Sequence, residues 1–211
     1  MRPGLSLMRI VAGTAKGRKL RALRGQSTRP TAERVREALF DILGLRVEGA
    51  RVLDLFAGTG ALGLEALSRG AAEVLFIEKD PVAFRLLGEN LVHCGFGARG
   101  RLLRADVRGA LRSLARKGER FDLVFLDPPY RTGLLGRSLG LLGAGELLKR
   151  GAWVVAEHWG REDTPHSAGR LRRFRLSRQG EAALSFYEIA ARRASVGGPG
   201  TGDAPEFVEN K

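Results

Sequence analysis

The chain has 211 residues and carries 36 Lys and Arg against 23 Asp and Glu, which leaves a formal net charge of +13. A hydrophobic content of 44% excludes a chain that is disordered throughout, and one Cys with three scattered His excludes an internal disulfide and a clustered metal site. Because no stretch approaches the roughly 18–20 apolar residues of a membrane span, we expect a soluble, cytoplasmic protein with a polyanionic partner.

The first 50 residues predict a basic N-terminal extension made of a hairpin and a helix. Residues 9–12 and 18–20 flank Gly13 and Gly17, which is consistent with a small β-hairpin. A helix is predicted to follow, with Thr31 as its N-cap, because apolar residues then recur at helical spacing.

Strand and helix patterns alternate through residues 51–192. Near-continuous apolar runs indicate strands that are buried on both faces of a parallel sheet. These runs occupy residues 51–56, 73–78, 101–105, 121–126 and 152–157. Helices are predicted over residues 62–68 and 81–94, and two further strands, 171–177 and 184–190, flank a turn that favours a terminal β-hairpin. The pattern predicts an α/β fold with a mixed, mostly parallel sheet of seven strands.

The chain ends in a segment without strand or helix periodicity. Residues 193–211 begin in a Gly-rich stretch, so we predict a disordered tail. The expected organisation is an extension over residues 1–50, a main domain over 51–192 and this tail. We expect the protein to be a monomer.

The first motif with chemical content follows the strand at residues 51–56. This Gly-rich turn has the sequence Asp54-Leu55-Phe56-Ala57-Gly58-Thr59-Gly60-Ala61-Leu62-Gly63. The glycines of its G-x-G-x-x-G pattern permit a tight turn and let a nucleotide-like ligand approach the backbone. We predict cofactor contacts from Asp54, Phe56, Gly58 and Gly60. NAD, FAD and S-adenosylmethionine sites all use such turns, and a turn that serves packing alone is the alternative.

Two acids at later strand ends are further candidates for the cofactor site. Glu78 ends the next strand, about 20 residues beyond the Gly-rich turn, where a carboxylate can bind ribose hydroxyls. The alternative for Glu78 is a solvated acid beside Lys79. Asp106 follows the third strand and is a candidate for binding an adenine amine, while the alternative is a cap for a helix that starts at Val107.

The decisive motif is Asp127-Pro128-Pro129-Tyr130, at the end of the fourth strand. Carboxyl ends of parallel strands share one crevice, so this tetrapeptide is expected to face the Gly-rich turn. The prolines fix φ and remove two donors, which leaves the Asp127 carboxylate and the Pro128 carbonyl as acceptors. An exocyclic amine of a nucleobase needs such acceptors, because its lone pair is otherwise delocalised into the ring. We predict Asp127, Pro128 and Tyr130 as catalytic residues; the alternative is a strand that ends in a Pro-Pro turn.

Positive charge is concentrated near the N-terminus. Eight basic residues and no acid precede Glu33, a typical electrostatic footprint for phosphates. The predicted RNA contacts in this stretch are Arg9, Lys16, Arg18, Lys19, Arg21, Arg24 and Arg29. A second cluster fits a solvated face as well as a contact surface, and it consists of Arg170, Arg172, Arg173, Arg175 and Arg178. Since only six of the 36 basic residues are Lys, an arginine-rich genome is an alternative source of part of the charge.

Several stretches occur in an order that is typical of one family. They read MRIVAG with GRKL, RPT with VREALF, LDLFAG with LEALSRGA, FIEKD and DPPY, and they extend from Met8 to about Ala190. The set resembles the bacterial RsmD family of S-adenosylmethionine-dependent methyltransferases, which modify a guanine N2 in 16S rRNA. This resemblance implies a class I methyltransferase fold (Rossmann-like), S-adenosyl-L-methionine as cofactor, and guanine 966 in the assembling 30S subunit as target.

The resemblance also implies roles for individual residues. Gly58, Gly60 and Glu78 bind the cofactor, residues 127–130 bind the target guanine, and the basic N-terminal hairpin binds RNA. Three other functions stay open at the level of sequence. A methyltransferase for adenine N6 in DNA or for a glutamine amide fits the same motif, an NAD-dependent dehydrogenase leaves residues 127–130 unexplained, and a non-catalytic RNA-binding protein accounts only for the N-terminal charge.

Overall fold

The computed structural model describes residues 5–23 and 30–190. The predictions for Arg24, Arg29 and the tail at 193–211 lie outside these residues. None of the helices within the two ranges has the length and apolar character needed to cross a bilayer.

Five α-helices and ten strands alternate through this part of the chain. Their order is β1 (Leu5–Arg9), β2 (Lys19–Leu23), α1 (Pro30–Leu43), a 3-10 helix (Gly44–Val47), β3 (Arg51–Asp54), α2 (Ala61–Ser68), β4 (Glu73–Glu78), α3 (Pro81–His93), β5 (Gly100–Arg104), α4 (Val107–Arg116), β6 (Phe121–Leu126), α5 (Leu134–Ala144), β7 (Leu148–Trp159), β8 (Ser167–Ala168), β9 (Leu171–Gln179) and β10 (Ala182–Ile189). The predicted α/β class is confirmed.

The central sheet has the order β5-β4-β3-β6-β7-β10-β9-β8. Strands β3 to β7 run parallel, and β10 lies antiparallel between β7 and β9, so the predicted terminal hairpin forms. The sheet of the described residues has eight strands, whereas seven were predicted. The additional strand, β8, has only two residues, too few to produce a recognisable alternation of apolar and polar side chains.

Strand β6 illustrates how the core forms on both faces of this sheet. Phe125 belongs to one buried cluster, where its ring meets Phe40 of α1 edge to face at a centroid separation of 5.8 Å. Val124 belongs to the opposite cluster, together with Leu139 of α5. A strand that is apolar on both of its faces is therefore buried on both sides, as a central parallel strand must be.

The N-terminal extension packs against α2. β1 and β2 pair antiparallel, which confirms a hairpin, but their bounds differ from the predicted residues and the connection spans 10–18. Ile10 N–H donates to the Arg18 carbonyl at 3.0 Å, so the pairing continues into this connection, and its tip bonds to α2, since Thr14 N–H donates to the Ser68 carbonyl at 2.8 Å. The predicted N-cap at Thr31 is wrong: α1 begins at Pro30, whose missing N–H is tolerated in the first turn.

Candidate functional site

A cavity of about 1560 Å³ opens at the carboxyl ends of the parallel strands. The end of β4 and the loops that follow β3, β4, β5 and β6 line the cavity, through residues 56–59, 77–80, 105–108 and 127–131. Met8, Arg36, Glu157 and Trp159 also contribute to the wall. In open α/β sheets this edge is where ligands bind, and the structure brings both predicted motifs together there.

The Gly-rich turn is held by backbone hydrogen bonds on both sides. Ala57 N–H donates to the Ile77 carbonyl at 3.0 Å, and Gly60 N–H donates to the Ala57 carbonyl at 2.7 Å. Gly58 and Gly60 have φ values of +54° and +93°, a region that favours glycine. Gly58 lines the cavity, whereas Gly60 lies behind it, where a Cβ would overlap the Leu87 side chain.

Asp54 also lies behind the cavity wall, not in it. Its side chain is buried at 1% exposure, and Oδ2 accepts the Gly63 N–H at 3.0 Å, which fixes the start of α2. Burial raises the pKa of Asp54 to about 7, and the charges of Asp127 and Glu78 act in the same direction. Asp54 is therefore placed to position the turn, while Phe56 of the same motif lines the cavity.

Glu78 connects the Gly-rich turn to the end of β4. Its Oε2 accepts the Gly58 N–H at 2.8 Å, and its Oε1 accepts the Asp80 N–H at 2.7 Å. The alternative of a merely solvated acid is therefore wrong. Because a carboxylate has about four lone-pair positions, Glu78 retains acceptor capacity toward the cavity.

Asp106 serves as a helix cap and also lines the cavity. Its Oδ1 accepts the Gly109 N–H at 3.0 Å at the start of α4. The capping alternative is thus correct, and it does not exclude a ligand contact, since the residue still borders the cavity.

The Asp127-Pro128-Pro129-Tyr130 segment forms the opposite wall. Asp127 is half-buried and Pro128 is buried, whereas Tyr130 is 45% exposed at the rim. Burial raises the pKa of Asp127 and, together with the charge of Glu157, the pKa of Tyr130. The next residue, Arg131, has a left-handed φ of +59°, an unfavourable conformation that often occurs at functional sites.

Glu157 and Arg36 are among the cavity residues that the sequence analysis missed. Glu157 lies at the third position from the end of β7, and burial together with the charge of Asp127 raises its pKa. Arg36 of α1 is 4% exposed; its Nη2 donates to the Arg9 carbonyl at 2.7 Å, while its Nε has no hydrogen-bond partner. The available signal for Glu157 was its position directly after the apolar run 152–156, as Asp127 directly follows the apolar end of β6.

The basic residues of the hairpin differ in their surroundings. Lys16 and Lys19 are exposed, whereas Arg9 and Arg21 form exposed ion pairs with Glu33 and Glu89. Arg18 is exposed and donates to the His93 carbonyl. The hairpin therefore presents cations to solvent, with two of them partly neutralised by carboxylates.

The second arginine cluster has several structural contacts. Arg173 donates to the Thr164 carbonyl at 2.9 Å, Arg170 donates to the Gly145 carbonyl, and Arg172 lies 3.8 Å from Glu188. These contacts favour a structural role for Arg170 and Arg173, whereas Arg172, Arg175 and Arg178 are exposed to solvent. Within residues 5–23 and 30–190, no group of three or more His, Cys, Asp or Glu is arranged to bind a metal ion.

Comparison with known proteins gives consistent matches over most of the chain. The family model described as Conserved hypothetical protein 95 matches residues 8–188. The chain is 36% identical over 192 residues to Ribosomal RNA small subunit methyltransferase D of Escherichia coli strain K12, a match that covers 91% of this chain and 95% of that protein.

Solved structures share the fold. A hypothetical protein from Thermus thermophilus superposes with a TM-score of 0.76 at 37% identity, covering 86% of this chain and 99% of that one. The SAM Dependent Methyltransferase from Agrobacterium tumefaciens has a TM-score of 0.64 at 18% identity, covering 87% of this chain and 70% of that one. The predicted class I methyltransferase fold is confirmed.

Proposed function

This chain belongs to the RsmD family, described as Conserved hypothetical protein 95, and from that premise we propose that it is a 16S rRNA methyltransferase acting on the exocyclic N2 of a guanine. The proposed target is guanine 966 in the assembling small subunit. The observation that carries the proposal is that Asp127 and Pro128 line the same cavity as the Gly-rich turn, so an amine acceptor and a cofactor turn face one another.

S-adenosyl-L-methionine is the cofactor, and the residues present fit it. Gly58 brings backbone to the cavity without a side chain, Phe56 lines the same wall, and Glu78 and Asp106 keep acceptor capacity for ribose hydroxyls and an adenine amine. Asp54 and Gly60 act behind the wall by fixing the shape of the turn. When bound, the cofactor supplies a methyl group activated by a positively charged sulfur.

The residues of the opposite wall prepare the amine. The Asp127 carboxylate and the Pro128 carbonyl each accept a hydrogen bond from one N–H of the amine. These two bonds turn the nitrogen lone pair out of the plane of the base. Tyr130 offers a ring on which the base stacks, and the guanine must be unpaired or extruded to enter the cavity. As the carbon–nitrogen bond forms and the bond between the methyl group and sulfur breaks, Asp127 would stabilise the positive charge on nitrogen and then take the proton that the amine loses.

The N-terminal extension binds the RNA outside the cavity. Lys16, Arg18 and Lys19 are exposed cations on the hairpin, and Arg9 and Arg21 add to them when phosphates replace Glu33 and Glu89. We assign residues 1–50 to RNA binding and residues 51–192 to methyl transfer. The two parts share one core, because Met8 and Leu20 of the hairpin pack in the same cluster as Phe125.

Methyl transfer from labelled cofactor to unmodified small subunits tests the proposal, with the modified nucleoside identified and mapped. We expect N2-methylguanosine with the wild-type protein. Asp127→Ala should lose transfer by at least about 1000-fold, the scale of a lost transition-state contact combined with a lost proton acceptor, and should still bind S-adenosylhomocysteine. Asp163→Ala, an exposed acid outside the cavity, is the matched control. Guanine methylation retained by Asp127→Ala, or methylation of adenine instead, contradicts the proposal.

A further inference from the structure

The proposed mechanism makes no use of Glu157, although this residue lines the same cavity as Asp127 and Tyr130. β6 and β7 pair in parallel with Leu126 opposite Ala156, so the residues that follow these two, Asp127 and Glu157, are neighbours at the carboxyl ends of adjacent strands. Glu157 is therefore one strand away from the group that accepts the amine.

The contacts within the fold leave Glu157 with unused acceptor capacity. Arg36 is the positively charged residue that acts on Glu157 and lowers its pKa. The Arg36 guanidinium, however, already interacts with Glu65 at 3.6 Å and with the Arg9 carbonyl at 2.7 Å. The Tyr130 hydroxyl lies near Glu157 at the rim, and even a hydrogen bond from it would occupy only one of the about four lone-pair positions of a carboxylate. A carboxylate with free acceptor positions at the wall of a ligand cavity is typical of a binding site in which the ligand supplies the missing hydrogen-bond donor.

Guanine carries such a donor next to the amine. On its Watson–Crick edge, the N1–H lies beside the N2 amine, so a base held through N2 by Asp127 and Pro128 directs N1–H to an adjacent acceptor. A hydrogen bond from N1–H favours the ionised form of Glu157, whose pKa is raised in the free protein. A purine with a lone pair at N1 would instead direct that lone pair at the lone pairs of the carboxylate oxygens. The difference is large because an unmatched buried polar group loses its hydrogen bond without regaining water.

We propose that Glu157 determines specificity for guanine by accepting the N1–H of the target base. This inference rests on the proposed function and identifies the atom of the base by which it is recognised. In the complex, Asp127 and the Pro128 carbonyl bind the N2 protons and Glu157 binds the neighbouring N1 proton, so every donor of that edge has an acceptor.

The test replaces the target guanine by 2-aminopurine, which keeps the amine at C2 but has a lone pair at N1 and lacks O6. The missing O6 is common to all enzyme variants, so the change of preference between variants reports on N1. Small subunits are reconstituted from ligated 16S rRNA that carries either base at the mapped position, and kcat/KM is measured for the wild type, Glu157→Gln and Glu157→Ala. The Gln amide can donate to the N1 lone pair. Glu162→Gln, an acid three residues beyond the end of β7 that does not line the cavity, is the matched control.

We expect the wild type to prefer guanine by about 100-fold or more. Glu157→Gln should reduce that preference by at least about tenfold, with a gain on 2-aminopurine that Glu157→Ala does not show, while Glu162→Gln keeps the wild-type preference. The role of Glu157 is overturned if Glu157→Gln changes the preference for guanine over 2-aminopurine by less than about tenfold relative to the wild type. It is also overturned if the wild type does not distinguish the two bases. Failure of the proposed function has a different signature, since the wild type would then methylate no guanine of the particle.

Discussion

Carboxyl groups with raised pKa values are concentrated at the carboxyl ends of the central strands. Asp54, Asp127 and Glu157 lie at or near the ends of β3, β6 and β7, and burial is the main cause of the raised pKa of each. Away from the cavity, Glu119 accepts a hydrogen bond from Arg51, and this bond lowers the pKa of Glu119. Residues whose ionisation is made costly by their surroundings are characteristic of functional sites, whereas paired surface charges are not.

At this scale, Asp54 should make the stability of the fold depend on pH. Its pKa is about 7 in the folded state against 3.8 for the free side chain, so the folded chain binds the proton more tightly. The resulting stabilisation is complete below about pH 4 and is lost as the pH rises through about 7. With about 1.4 kcal/mol for each pKa unit, the loss is on the order of 4 kcal/mol.

Asp54→Asn removes this titration, so the measurement compares the free energy of unfolding of the two proteins in urea between about pH 4 and about pH 8. The difference should shift in favour of the variant by about 4 kcal/mol as the pH rises. Parallel pH dependences for the two proteins would show that Asp54 is not the titrating group.

Helix α2 is the element that joins the two proposed functions. Its N-terminus follows the Gly-rich turn, and its residue Glu65, which is fully buried, accepts the N–H groups of Val11 and Ala12 at 2.8 and 3.0 Å. The same carboxylate interacts with Arg36 at 3.6 Å and with Arg69 at 2.8 Å. One side chain thus holds the connection of the hairpin against the helix that begins at the cofactor turn.

Replacing Glu65 by Ala should therefore destabilise the protein strongly. The variant leaves the buried guanidinium of Arg36 without its carboxylate, a change that typically costs about 3–5 kcal/mol. Glu89→Ala removes the exposed pair with Arg21 and should cost less than about 1 kcal/mol. Chemical denaturation measures both, and equal losses from the two variants would contradict the central role of Glu65.

Other elements show where periodicity is informative. β4 and β6 were predicted to the residue, because both are largely apolar and end where polar loop residues begin. β7 extends beyond the predicted 152–157 because it starts in the polar stretch Leu148–Gly151, yet already pairs with β6 at Leu148. α5, with three glycines within the element, has a weak helical pattern and was not predicted.

For the whole molecule, the net charge of +13 is less informative than its distribution. Several arginines are committed to the fold, as in the contacts of Arg51, Arg36 and Arg173. The hairpin also carries Lys16 and Lys19, which are exposed to solvent, on the same element as Met8 of the cavity wall. Affinity for RNA is therefore expected to depend on a small set of cations and on salt.

The double variant Lys16→Ala/Lys19→Ala should weaken binding to small subunits and flatten its dependence on salt. Each lost phosphate contact reduces the slope of log K against log salt by about 0.7–0.9, so a change of about 1.5 is expected. Filter binding over a salt series measures this slope, and affinity for S-adenosylhomocysteine should be unchanged. Lys149→Ala, which removes an ion pair with Asp122 on the strands, is the control; an identical slope for the double variant and the wild type would exclude these contacts.

The sequence by itself determined the parallel sheet, the Gly-rich turn and the acceptor motif at Asp127, because local patterns of apolar residues, glycine and proline dictate backbone conformation at close range. Only the tertiary structure decided which polar groups face the cavity. In the folded chain, Asp54 and Gly60 lie behind the cavity wall, and Glu157 lies beside Asp127. Those relations depend on strand order and on contacts between residues distant in sequence, which no local pattern encodes.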